Sequence, residues 1–133
     1  MRSTTLGLLA LALLCLTPTD RLTAAETEPT PEQLEFFEKH VRPVFVRYCH
    51  ECHSGDEPKA SLRLDVRSGM MQGGDSGPAV VPGKPEESLL VASVKYEPDA
   101  DYKMPPKGKL PPDDLAAIIK WVEIGAPWPA ESG

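Results

Sequence analysis

No segment of this 133-residue sequence is long and apolar enough to span a bilayer. Its one sustained apolar run, Leu6 to Leu16, has eleven residues, where a membrane helix needs about 20. Basic charge is in deficit too: 14 Lys and Arg stand against 20 Asp and Glu, a net charge of −6. An acidic surface repels phosphate backbones and anionic headgroups, which argues against a nucleic-acid or membrane-surface partner. The sequence has no internal repeat, no convincing strand pattern and no phosphate-binding glycine loop. It also lacks an acid–base pair or a nucleophile constellation, so no enzyme is expected of it in isolation.

The short apolar run has another use. Arg2 gives a positive start, the run follows, and Ala24-Ala25 supply small residues behind it. This is the layout of a secretory signal peptide over residues 1–25, cleaved after Ala25. The competing reading is a membrane anchor that stays attached. Cys15 sits in the run behind the bulky Leu14, which argues against a lipid-bearing cysteine. Cleavage removes Arg2, Asp20 and Arg21 and leaves a net charge of −7. The protein is thus expected to be exported, periplasmic or extracellular, with no stable membrane insertion after cleavage.

Core-forming residues are few. Beyond residue 25, 22 of 108 residues are Leu, Ile, Val or Phe, and Pro and Gly together number 23. That apolar share is close to the roughly 20% below which chains tend not to fold. A large apolar cofactor would supply what the side chains lack.

Helical signals are nevertheless clear. Thr30, Pro31 and Gln33 form an N-cap, a first helical residue and a capping box. Leu34, Phe37, Val41, Val44, Phe45 and Tyr48 then recur at helical spacing. Pro43 cannot bond the Lys39 carbonyl, which predicts a kink or a break. A short helix is expected within Ala60–Met71, although Leu62, Leu64 and Val66 alternate. Another helix is expected from Pro85, with Leu89, Leu90 and Val94 inward. The last runs from about Asp113 to Ile124, with Gly125 behind it and Leu115, Ile118, Ile119, Trp121 and Val122 on its buried face. Residues 72–84 and 97–112 read as Pro/Gly-rich loops. The expectation is an all-α domain over residues 35–129. Residues 26–34 are the N-terminal tail and start of the first helix, and residues 130–133 a C-terminal tail.

The chemistry sits in Cys49-His50-Glu51-Cys52-His53. C-x-x-C-H is the attachment pattern of c-type haem. Two thiols about one helical turn apart can reach two vinyl groups on one porphyrin edge, and the next residue directs its imidazole at the iron. Three other readings compete. Structural zinc wants four ligands, but Cys49, Cys52 and His53 crowd together and only His40 and His50 remain. A thioredoxin-like dithiol normally sits in a βαβ unit. A Cys49–Cys52 disulfide would close a tiny loop and add little stability.

Haem iron in cytochromes c takes a histidine and a methionine. Met104 lies in Lys103-Met104-Pro105-Pro106, 51 residues beyond His53. The prolines stiffen that loop and could hold the sulfur at the iron with little entropy loss. The bland alternative is an ordinary packed methionine. Met70 and Met71 are expected in the core. His50 is expected to face solvent and His40 to be an exposed helix residue. Trp121 and Trp128 read as packing residues.

Together these segments resemble the planctomycete-type cytochrome c domain. The resemblance rests on Phe36-Phe37-Glu38-Lys39-His40-Val41-Arg42-Pro43, the cysteine motif, Leu62-Arg63-Leu64-Asp65 and Gly73-Gly74-Asp75-Ser76-Gly77-Pro78. Val81-Pro82-Gly83, Glu87-Ser88-Leu89-Leu90, Lys103-Met104-Pro105-Pro106 and the stretch from Trp121 to Pro129 complete it. It implies a cytochrome c-like helical fold wrapped around one haem c, held covalently by Cys49 and Cys52. It implies His53 and Met104 as the iron ligands, with Leu62, Leu64 and Pro82 lining the crevice. In that family the domain commonly opens a longer exported protein, so the implied partner is a redox protein or a fused downstream domain. The function expected is one-electron transfer. A haem-based sensor or small-ligand binder with a labile distal ligand, and a C-x-x-C dithiol oxidoreductase, are the alternatives.

Overall fold

Thr30 opens the first helix as its side chain dictates. Its Oγ accepts the Gln33 backbone N–H at 3.3 Å, and the Gln33 Oε1 accepts the Thr30 N–H at 2.9 Å. Both donors would otherwise lack partners in the first turn. The computed structural model describes residues 28–130. The expected signal peptide over residues 1–25, and residues 131–133 of the expected tail, lie outside the described residues.

Helix α1 spans Pro31–Phe36. The chain does not break at Pro43. Phe37–Val41 widens into a π-helical turn in which the Arg42 N–H bonds the Phe37 carbonyl. Helix α2, Arg42–Tyr48, then starts afresh with Pro43 in its first turn. A first-turn residue has no intrahelical N–H bond to lose, so the proline is accommodated there. The added residue per turn keeps Phe37, Val41, Val44 and Phe45 all buried.

The C-terminal helix closes on this stripe. Helix α5, Pro112–Glu123, buries Ile118, Trp121 and Val122. The Trp121 ring meets Phe45 edge-on at 5.4 Å, and Trp128 lies 4.4 Å from Phe37 between centroids. The Trp121 Nε1–H donates to the Pro127 carbonyl at 2.8 Å, so the buried indole is satisfied. Burial of each such aromatic ring is worth about 1.5–3 kcal/mol from area alone. Both tryptophans are packing residues, as expected.

The middle of the chain departs further from expectation. Leu62 and Val66 have extended backbone, and helix α3 is confined to Arg67–Gln72. The alternation of Leu62, Leu64 and Val66 marks an extended segment, because only a two-residue period explains it. Pro85–Glu87 is a 3₁₀ turn, and helix α4 begins later, at Leu89–Lys95. Ser88 accounts for the delay. It is buried, its Oγ accepts the Val81 N–H at 2.9 Å, and its hydroxyl donates to the Lys84 carbonyl at 2.8 Å. Leu90, Val91 and Val94 face inward, whereas Leu89, expected inward, is 37% exposed. Apart from one isolated bridge between Gly74 and Gly77, the described residues contain no strand pairing. The fold is helical, as expected.

Candidate functional site

Helix α2 ends at Tyr48, and the cysteine motif follows it in a hydrogen-bonded turn. The Cys49 and His50 N–H groups bond the Phe45 carbonyl at 2.9 and 3.0 Å, and the His53 N–H bonds the Cys49 carbonyl at 2.9 Å. That turn brings Cys49, Cys52 and His53 to one cavity of about 230 Å³. Both cysteines are free thiols. Burial pushes the Cys49 thiol up to about 12. A thiol so shifted holds little thiolate at neutral pH, which disfavours the dithiol-nucleophile reading.

The two motif histidines have different roles. The His53 Nδ1 lies 3.1 Å from the Lys59 carbonyl. A carbonyl only accepts, so Nδ1 carries the proton and Nε2 keeps its lone pair. The imidazole is thereby oriented with the Nε2 lone pair free. The His50 Nε2–H donates to the Leu64 carbonyl at 3.2 Å. His50 is half-buried and does not simply face solvent, correcting the expectation. With the Leu64 N–H on the His53 carbonyl at 2.7 Å, it straps the extended segment to the motif. His40 is exposed and its ring lies beside Phe36.

The strap explains why Leu62 and Leu64 line the cavity, where Ala79, Leu90, Val94 and Leu110 join them. Pro82 does not. It is exposed, in a turn closed by the Lys84 N–H on the Val81 carbonyl at 3.0 Å. The Gly83 N–H bonds the Val122 carbonyl at 2.8 Å and pins that turn to α5, not to the cavity. The crevice-lining role expected of Pro82 is therefore corrected.

Met104 lines the cavity; Met70 and Met71 do not. Met70 is wholly buried in the core and Met71 packs against it. Two bonds fasten the Met104 loop to α4 and its cap. The Met104 N–H donates to the Ser93 carbonyl at 3.0 Å, and the Tyr96 hydroxyl donates to the Pro105 carbonyl. Tyr96 has a left-handed backbone (φ 61°) that ends α4 and turns the chain.

Sequence reasoning did not find Ser93, Tyr96, Lys59 or Gly74 as parts of this site. Lys59 acts through its backbone carbonyl, which no side-chain pattern records. Gly74 acts through having no side chain: a Cβ there would lie 2.2 Å from the Ala60 carbonyl oxygen. The glycine lets the 73–78 loop close against residues 60–62, where the Asp75 N–H bonds the Ala60 carbonyl at 2.9 Å.

The donor chemistry fits a c-type haem. Two thiols, an imidazole with a free Nε2, and a thioether face one space walled mainly by hydrocarbon. Among the described residues no buried side-chain polar atom lacks a partner, so this apolar space carries no competing demand. Among the described residues, too, no group of three or more His, Cys, Asp or Glu side chains is arranged to hold a metal ion, which disfavours the zinc reading.

Residues 49–108 match the family model described as Planctomycete cytochrome C, the family that the sequence motifs resemble. The match runs from Cys49 to Gly108 and so takes in the lining of the cavity apart from Tyr48 and Leu110, while α1, α2 and α5 flank it in the sequence. No curated protein and no solved structure matches the chain.

Proposed function

We propose, from the match of residues 49–108 to Planctomycete cytochrome C, that this protein binds one haem covalently and transfers electrons. The observation that carries the reading is the convergence of Cys49, Cys52, His53 and Met104 on one apolar cavity. The Cys49 and Cys52 thiols would form the two thioethers. The His53 Nε2 would bind iron, held in register by the Nδ1–H bond to the Lys59 carbonyl. The Met104 sulfur would be the second iron ligand, its loop held by Ser93 and Tyr96. Bound haem would supply an iron that changes oxidation state by one electron. Leu62, Leu64, Leu90 and Val94 would keep water from that iron, so little rearrangement accompanies each electron. With the cysteine thiols, His53 and Met104 committed to the haem, the protein is read as a carrier and not an enzyme.

We further infer export, because covalent haem attachment in bacteria takes place outside the cytoplasm. No helix among the described residues is long and apolar enough to cross a membrane.

Expression with the c-type maturation machinery, followed by denaturing extraction of free haem, tests the first claim. Haem retained by the wild type and lost from a Cys49→Ala/Cys52→Ala variant is the expected result. Complete loss from the wild type, with a control cytochrome loaded in parallel, would refute it. Met104→Ala tests the second claim. It should lose the low-spin spectrum and gain carbon monoxide binding in the reduced state. Rapid carbon monoxide binding by the reduced wild type would instead favour the sensor or ligand-binder reading.

A further inference from the structure

Leu89 and Tyr102 are large apolar side chains left 37% and 52% exposed. Val46 is the one other large apolar residue so exposed among the described residues. Leu89 and Tyr102 share two surroundings. Together with Ser93 they line the cavity that gathers the cysteine motif and Met104, and they also line a second concavity of about 400 Å³ against α4. The two spaces share Leu89, Ser93 and Tyr102 as lining. The Ser76 hydroxyl lies 3.2 Å from the Tyr102 hydroxyl and helps fix that ring.

The outer groove is rimmed by carboxylates. Among the described residues Glu86, Glu97, Asp99 and Asp101 line it, and Lys95 is its one cation. The Lys95 ammonium is already engaged by Glu86 at 2.9 Å. Nearby Lys103 turns its ammonium onto the Pro98 carbonyl at 3.0 Å. An apolar centre inside a charged rim is the anatomy of a protein-docking surface. A rim of one sign also steers the approach of a partner of opposite sign.

We propose that this groove docks a basic redox protein, one presenting an apolar contact ringed by Lys or Arg. The proposal rests on the electron-transfer reading and names the partner class for it. A partner seated on Leu89 and Tyr102 is separated from the haem cavity by the layer of side chains that lines both spaces. Steering by the acidic rim would deliver it there in preference to other faces.

The test uses the haem-loaded protein and, as probe, a lysine-rich soluble cytochrome c. The groove variant is Glu97→Gln/Asp99→Asn/Asp101→Asn. Its control is Glu32→Gln/Glu35→Gln/Glu123→Gln, which removes the same charge away from the groove. At low ionic strength the groove variant should slow second-order electron exchange by about tenfold or more, with the control near wild type. High salt should erase the difference. In nuclear magnetic resonance titrations with the probe, the backbone amides of Leu89 and Tyr102 should be among those that shift most. Equal slowing by both variants, or shifts centred elsewhere, would overturn the groove while leaving electron transfer intact. A protein that shifts at Leu89 and Tyr102 but exchanges no electrons would overturn the electron-transfer reading and keep the groove's preference for a basic protein.

Discussion

Gly74 and Gly77 occupy one loop for opposite reasons, and substituting each by alanine should separate them. A Cβ at Gly74 would lie 2.2 Å from the Ala60 carbonyl oxygen and 2.9 Å from the Leu62 Cβ. Relief needs a displacement of about 1 Å, since Cβ contacts under 3.0 Å are essentially never seen. The oxygen to be displaced is the one that accepts the Asp75 N–H at 2.9 Å. A shift of that size stretches the bond beyond its useful range. Losing it costs about 0.5–1.5 kcal/mol, and overpacking adds about 1–3 kcal/mol. Gly74→Ala should therefore lose about 1.5–4.5 kcal/mol, which for a domain of this size lowers Tm by about 6–18 °C. A Cβ at Gly77 meets nothing within 4 Å, but its φ is +96°. Gly77→Ala pays only backbone strain, about 1–2 kcal/mol. Thermal unfolding of both variants, loaded with haem and followed by circular dichroism, gives the comparison. Gly74→Ala should be the weaker, and its visible bands should change, since Ala60, Leu62 and Gly74 all line the cavity. A Gly74→Ala protein as stable as the wild type would refute the close approach of these segments.

Three further perturbations probe other parts of the fold. Ser88→Ala strands the Val81 N–H and breaks the tie to Lys84, and should cost about 1–3 kcal/mol in denaturant unfolding; an unchanged midpoint would contradict it. Trp121→Phe removes the donor to the Pro127 carbonyl and leaves a gap beside Phe45, a loss of about 2–4 kcal/mol by the same measurement. Hydrogen bonds from the Arg63 guanidinium hold the Asp65 carboxyl below its usual 3.8. A lowered native value means that the unfolded chain binds more protons near that pH, so this stabilisation is complete above 3.8 and lost as pH falls through the native value. The Tm gap between wild type and Asp65→Asn should accordingly be constant above about pH 5 and close on acidification; a gap that widens on acidification would reverse the sign.

What could be read from the sequence was what local chemistry determines. The Thr30–Gln33 capping box, the Phe37-to-Tyr48 stripe and α5 all follow from residues within a few positions of one another. The Pro43 irregularity was legible as a lost hydrogen bond, but not its resolution as a π turn. That outcome depends on Phe37 and Phe45 both meeting partners some 80 residues away, Trp121 and Trp128. The site divides the same way. C-x-x-C-H and the Met104 loop are short patterns, and Cys49, Cys52, His53 and Met104 from them line the cavity. The supports around them are backbone groups: the Lys59 carbonyl on His53, the Leu64 carbonyl on His50, and the Ser93 carbonyl on Met104. Any residue type supplies a carbonyl, so composition and spacing are silent about which one is used. Pro82 shows the converse. It belongs to a recognisable motif, yet the turn it makes serves the junction with α5, because the Gly83 N–H is taken by Val122. A motif residue is thus evidence of a constraint at that position, and only the bonds around it reveal whether the constraint serves the cavity or the packing behind it.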